Sequence, residues 1–255
     1  MHDPRRRPGA APPGGVSRVF LPFPEPRIFA VFLGRRQRFL ADMELPGGRR
    51  VTAHCPNTGS MRGCLFPGHR ALLWDSRNPR RKLPYTWKAI EAQGFWIGID
   101  TAVPNRLAEA AIRAGLVPGL AGFGTLRRER PMGRRSRVDL VLEGPAGRCY
   151  VEVKNVTLVE GGAARFPDAV TARGLRHLGE LAERVREGHR AAMVYVVQRE
   201  DGRWFEPAAD IDPAYARGLA EAARRGVEVY ALGARVTPEG VGVTGLLPVP
   251  PDLEP

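Results

Sequence analysis

Three side chains in this sequence have the types and spacing to do chemistry together: Asp139, Glu152 and Lys154. Asp139 lies in Ser136-Arg137-Val138-Asp139-Leu140-Val141-Leu142, and the other two lie in Cys149-Tyr150-Val151-Glu152-Val153-Lys154. Both segments read as strands, and Gly144, Pro145 and Gly147 between them read as a hairpin turn. Side chains alternate faces along a strand, so Glu152 and Lys154 share one face while Val151 and Val153 point into a core. Two carboxylates and a lysine at adjoining strand ends can hold Mg2+ or Mn2+ through oxygen and activate a water beside a phosphate. Lys154 would orient or deprotonate that water and offset charge on a phosphorane-like transition state. Glu129, in Arg127-Arg128-Glu129-Arg130, is a candidate for a further metal contact. The chemistry implied is phosphodiester hydrolysis.

Each residue also has a plainer reading. Asp139 can be a solvated edge acid or a partner of Arg137. Glu152 and Lys154 can be a surface ion pair, which is worth little. Glu129 can be a salt-bridged surface acid. Beyond Lys154 the chain stays polar, from Asn155 and Thr157 to Arg165-Phe166-Pro167-Asp168 and on to Arg173 and His177. Arg173 and His177 are four apart and share a helix face. A helix beginning near Asp168, which can cap it, would turn free amides and a positive dipole end toward a phosphate. Arg137, Arg165, Arg173 and His177 are therefore the candidates for nucleic-acid contact, set against solvated arginines and an ordinary interface histidine.

The elements that must position these groups fall into two regions. Residues 16–85 read as short strands with turn punctuation: Val19–Leu21, Arg27–Leu33, Arg38–Leu45, Arg50–Cys55 and Arg70–Trp74. About five short strands in that span suggest an OB-like β-barrel domain. Pro79-Arg80-Arg81-Lys82-Leu83-Pro84-Tyr85 reads as a basic linker. Residues 86–246 then read as a mixed α/β (α+β) domain. Its strand is Phe95–Ile99, its helix Asn105–Ala114, and the acid-bearing hairpin follows. An amphipathic helix over 168–187 leads to a buried strand over 191–198, implying a right-handed parallel crossover. A helix over 213–225 and a strand over 227–232 close the pattern. Residues 1–15 and 247–255 read as a disordered basic arm and a disordered tail.

Composition narrows the function. The 255 residues carry a formal charge of +12, which favours a polyanionic partner through counterion release. Of the 39 basic residues only Lys82, Lys88 and Lys154 are lysine, so no single arginine is informative. No apolar run approaches the length of a membrane span and the amino-terminal stretch lacks the apolar core of a signal peptide, so no membrane association is expected. Three cysteines make no disulfide framework, as expected in the cytoplasm. Cys55 and Cys64 lack zinc-ligand spacing, Gly59-Ser60 lacks a nucleophile elbow, and no phosphate-binding glycine loop is present. The turn Asn57-Thr58-Gly59-Ser60 is placed in the barrel, near the domain interface.

Several blocks in a fixed order resemble the sugar fermentation stimulation protein A family: Arg38-Phe39-Leu40-Ala41-Asp42, Ala53–Met61, Pro79–Leu83, Ser136–Asp139, Val151–Thr157 and Phe166–Gly174. The resemblance implies DNA binding, an amino-terminal OB-like domain and a carboxy-terminal restriction-endonuclease-like (PD-(D/E)xK) mixed-sheet domain. It places that superfamily's metal and water positions on Asp139, Glu152 and Lys154. The expected activity is divalent-metal-dependent cleavage of DNA, with RNA compatible with the same charge and fold. The alternative is a non-catalytic DNA-binding protein, or a transcriptional regulator of sugar metabolism, that keeps the nuclease fold as a scaffold.

Overall fold

In the computed structural model, which describes residues 18–132, 136–145 and 147–255, β-branched and aromatic runs broken by Gly and Pro form short strands. The first are β1 (Phe20–Pro22), β2 (Arg27–Arg36), β3 (Leu40–Glu44), β4 (Arg50–His54), β5 (Arg70–Asp75), β6 (Tyr85–Ala92) and β7 (Phe95–Gly98). The expected basic arm, residues 1–15, lies outside the described residues.

Five of these strands close a barrel. β2 pairs antiparallel with β3 and β5, β3 with β4, and β5 with β6. A parallel contact of His54 with Thr86 joins β4 to β6. Inside lie Ala30, Phe32, Met43, Ala53, Leu73, Trp87 and Ile90, with Phe32 stacked on Trp87 at 4.6 Å between centroids.

The barrel has five strands, but not the five expected. Val19–Leu21 was expected in the barrel; instead β1 pairs with a strand near the other end of the chain. The missing barrel strand is β6, which begins at the end of the Pro-rich stretch read as a linker. It shows no period-two alternation, because Tyr85 to Ile90 are all buried. Lys88 tolerates this by pairing with Asp100 at 2.5 Å. The barrel core also takes in Ile97 and Ile99, beyond the boundary expected at residue 85.

The rest of the chain forms α1 (Val103–Arg113), β8 (Thr125–Pro131), β9 (Arg137–Gly144), β10 (Gly147–Val156), β11 (Leu158–Glu160) and β12 (Ala163–Phe166). α2 (Ala172–Arg186), β13 (Arg190–Val197), β14 (Trp204–Pro207), α3 (Pro213–Arg224), β15 (Val227–Thr237) and β16 (Gly240–Leu247) follow. Strands run in the order β15-β13-β10-β9-β8, and β7 joins β15 to the barrel. β10 and β13 are parallel, with Glu152 opposite Met193 and Lys154 opposite Tyr195. The crossover between them contains β11, β12 and α2, and β14, which follows β13, joins β11 and β12 in a small sheet. α1 covers one face through Leu107, Ala108 and Ala111, against Leu140, Val151, Val153 and Val194. α2 and α3 cover the other through Leu178, Leu181, Tyr215 and Leu219, against Met193, Tyr195 and Val197. Among the described residues no helix is long and apolar enough to cross a membrane.

The carboxy-terminal residues were expected to be disordered, but they pack. Phe205 N donates to Pro248 O, and a short turn at Pro251–Leu253 buries Leu253 beside α3. Leu253, with Leu247 and Val249 packed against the same core, anchors the proline-rich run.

The seam between barrel and second sheet is tightly built. Gly98 N donates to Gln198 O, and a Cβ at Gly98 would meet Gln198 Cδ at 2.7 Å. Next to it Arg199 is buried: it pairs with Asp201 at 2.7 Å and donates to Gly63 O, Thr157 O and Gln93 Oε1. These acceptors come from both halves of the fold, so Arg199→Ala removes one cation and leaves acceptors on each side without a donor. We expect a loss of about 3 kcal/mol of stability, read as a lower urea midpoint at unchanged slope. A loss of well under about 1 kcal/mol would mean that Arg199 does not hold the seam.

Candidate metal centre

The site is made where β9 and β10 stop pairing. Their antiparallel ladder runs from Gly144–Gly147 to Leu140–Val151 and ends there. One residue further on, the Asp139 side chain replaces the ladder: its Oδ2 accepts the Val153 amide at 2.8 Å. Its Oδ1 accepts from Asn105 Nδ2 at 2.8 Å, in the first turn of α1. Both carboxylate oxygens are thus fixed, one by the sheet and one by a helix.

Alternation along β10 turns Val151 and Val153 toward α1 and Glu152 and Lys154 toward α2. Glu152 is only 3% exposed. Its Oε1 receives Lys154 Nζ at 2.6 Å and faces His177 Nδ1 at 2.5 Å. Its Oε2 is buried and has no hydrogen-bond partner. Such an atom is expensive in a folded protein unless something outside the protein satisfies it. Beneath the site the hydroxyls of Tyr195 and Tyr215 bond to each other at 2.6 Å, and burial pushes both phenols up.

The two acids differ electrostatically. Burial pushes Asp139 above the usual carboxylate range and the Glu152 charge adds to it, against the pull of the Val153 amide, Lys154 and Asn105. Burial also pushes Glu152 up, but the His177 hydrogen bond and the Lys154 ammonium outweigh it and hold Glu152 below its ordinary value. One carboxylate is kept charged while its neighbour resists charging.

Asp139, Glu152 and Lys154 therefore share one edge, and the other sequence candidates divide. Glu129 is 71% exposed and faces Arg137 at 3.8 Å, so the third candidate acid and a basic candidate form a surface pair. Among the described residues no three His, Cys, Asp or Glu side chains stand together as a ligand set, so Glu129 does not complete one. Arg165 is taken up by Glu160, Glu206 and Asp210, which leaves it little capacity for phosphate. Arg173 is exposed near the start of α2. His177 is buried and turned to Glu152, so it is not a surface contact.

The expected cap also moves. Thr171 caps α2 by accepting Gly174 N at 3.1 Å, while Asp168 clasps the barrel. Its Oδ2 accepts Met61 N and its carbonyl accepts from Ser60 Oγ, each at 2.9 Å. This fixes the Asn57–Ser60 turn against the second sheet. Asn105 was not singled out in the sequence. The only available signal was a polar residue in the first turn of the helix, just after Val103 and Pro104.

A metal held here would rest on Asp139 and Glu152, with waters filling the remaining positions. That suits a hard cation bound through oxygen. The unpartnered Glu152 Oε2 fits such a ligand.

Comparison with known proteins agrees with this architecture. Residues 33–99 match the family model "SfsA N-terminal OB domain", and residues 102–240 match "Sugar fermentation stimulation protein RE domain". A sugar fermentation stimulation protein homolog of Geotalea uraniireducens is 54% identical over 226 residues, covering 89% of this chain and 98% of that one. Homologs of Geobacter metallireducens and Rhodospirillum centenum are 55% and 54% identical over 227 and 223 residues, covering 89% and 87% of this chain and 98% and 96% of theirs. A solved structure of Pyrococcus furiosus SfsA in complex with Ca2+ is 30% identical, with a TM-score of 0.83, over 92% of this chain and all of that one. An OB barrel followed by an RE domain, with relatives alike over nearly their whole length, places the chain in its family: it belongs to the sugar fermentation stimulation proteins.

Proposed function

We propose that this chain binds DNA and hydrolyses its phosphodiester bonds at the Asp139–Glu152–Lys154 edge, with Mg2+ or Mn2+ as the cofactor. The observation that carries the proposal is the buried, partnerless Glu152 Oε2 beside a second carboxylate that burial and repulsion hold above its usual range. Two acids placed this way repel each other and would repel phosphate unless a cation lies between. The Ca2+ complex of the Pyrococcus furiosus relative supports the same reading.

A divalent cation bound there would lower the pKa of a coordinated water and neutralise charge on a phosphoryl oxygen. The chain's own residues supply the rest. Asp139, pinned by Val153 N and Asn105, and Glu152, pinned by His177, hold the ligand oxygens in place. Lys154, whose side chain is 17% exposed, would turn from Glu152 to the nucleophile or to a phosphate oxygen. Arg173, exposed at the start of α2, is the candidate contact for incoming phosphate. The net charge of +12 draws the polyanion in.

The direct test incubates single- and double-stranded DNA, and RNA, with the purified chain and Mg2+, Mn2+ or chelator. We expect metal-dependent cutting of DNA that drops about 100-fold or more in Asp139→Asn and Lys154→Ala. Cutting that survives both changes would place the chemistry elsewhere. Binding without cutting under every condition would support the non-catalytic scaffold instead. Affinity should fall steeply with salt, and a flat salt response would remove phosphate contact as the basis of binding.

A second expectation concerns stability. Because Asp139 is pushed up in the fold, its charged form opposes folding of the metal-free chain. Asp139→Asn should raise the metal-free Tm by about 2–4 °C, for a relief of about 1 kcal/mol. The sign follows from linkage. The penalty is absent below the unfolded carboxylate's pKa of about 4 and complete above the raised folded value. The gain should therefore be present at about pH 8 and fade toward about pH 4. Thermal scans of both proteins in chelator check this, and equal or lower stability of Asp139→Asn at high pH contradicts it.

A further inference from the structure

We propose that Arg173 and His177 form a hydrogen-bonded relay that positions Glu152, so that His177 is a positioning residue and Arg173 is its link to the bound polymer. The inference rests on the nuclease reading above and adds two residues to it.

The geometry fixes the proton. Arg173 and His177 lie one turn apart on α2, and Arg173 Nε donates to His177 Nε2 at 3.5 Å. A guanidinium has only donors, so the nitrogen facing it offers a lone pair. The ring hydrogen then sits on Nδ1, which stands 2.5 Å from Glu152 Oε1 and donates to it. This places the hydrogen on Nδ1 and the lone pair on Nε2, and both polar edges of the ring are used. It is 2% exposed, so water does not compete for either edge.

The consequence lies in how Glu152 shares its oxygens. His177 and Lys154 both sit on Oε1, while Oε2 is left bare. A terminal carboxylate torsion is broad when nothing fixes it. Two donors on one oxygen fix that torsion and leave the other oxygen as the one available to a cation. The second consequence concerns Lys154. To reach a phosphate it must leave Glu152, and a carboxylate so deeply buried cannot lose its only donor cheaply. His177 keeps that oxygen satisfied when Lys154 departs. Arg173, exposed at the start of α2, has guanidinium donors beyond Nε for phosphate, so contact with the polymer backbone bears on the same chain of bonds.

The test compares full-length wild type with His177→Ala and His177→Asn, each checked for folding by circular dichroism and Tm. Binding of Ca2+ or Mn2+ without DNA is measured by titration calorimetry. We expect His177→Ala to weaken cation binding about 10- to 100-fold. His177→Asn carries an amide N–H close to the position of Nδ1 and should bind within a few-fold of wild type. Cleavage kinetics should show the Ala loss in kcat more than in KM, with Asn restoring most of it. Folded His177→Ala that binds the cation like wild type, or folded His177→Asn as weak as Ala, would overturn the role.

The tautomer is decided separately by 15N NMR of the histidine side chains in metal-free protein. Nδ1 protonated and Nε2 bare supports the relay, and the reverse overturns it. If wild type binds no divalent cation, the nuclease reading fails, while the NMR result still stands or falls by itself.

Discussion

Everything around the site follows from keeping one carboxylate charged almost out of reach of water. A buried anion without partners would be neutralised or would unfold its surroundings. Glu152 avoids both because a strand places Lys154 two residues away on the same face and a crossover helix brings His177 from above. The sheet and α2 must therefore meet at a fixed register, and the parallel pairing of β10 with β13 supplies it.

The hairpin has a different task. A fully zipped β9–β10 ladder would use the Val153 amide in a backbone bond and leave Asp139 to the solvent. By parting one residue early, the strands give that amide to a side chain and bring a second acid beside the first. Asn105 then ties the acid to α1 on the opposite face of the sheet from α2. The two acids are thus held from opposite faces. Their separation depends on the thickness of the packed sheet, which resists deformation far more than a loop would.

Much of this was legible in the sequence, for identifiable reasons. The Asp139 and Glu152-Val153-Lys154 segments carry strand alternation and a turn between them, and the amphipathic stripe of α2 is unambiguous. The β-rich punctuation before residue 76 signals a barrel. Three things were hidden. β6 is buried on both faces and carries a lysine whose partner, Asp100, lies in a later segment, so neither alternation nor composition marks it. Asp168 looks like a helix cap because the residues after it are helical, yet its true partners are more than a hundred positions earlier. His177 looks like a surface contact because it is polar and one turn from Arg173. Only the crossover geometry shows which acid it meets. In each case the deciding interaction is nonlocal, and local pattern carries no record of it.

The pairing of β1 with β16 bears on how the chain is made. The barrel strands all precede residue 93, so the barrel can close while the second half is still being synthesised. β1 emerges before all of them, yet its partner β16 follows every other strand described here. Until β16 has been made, β1 therefore lacks its mate and must wait without recruiting a neighbouring chain. Its brevity, three residues ending in a proline that offers no amide, makes it a poor template for association and suits it to that wait.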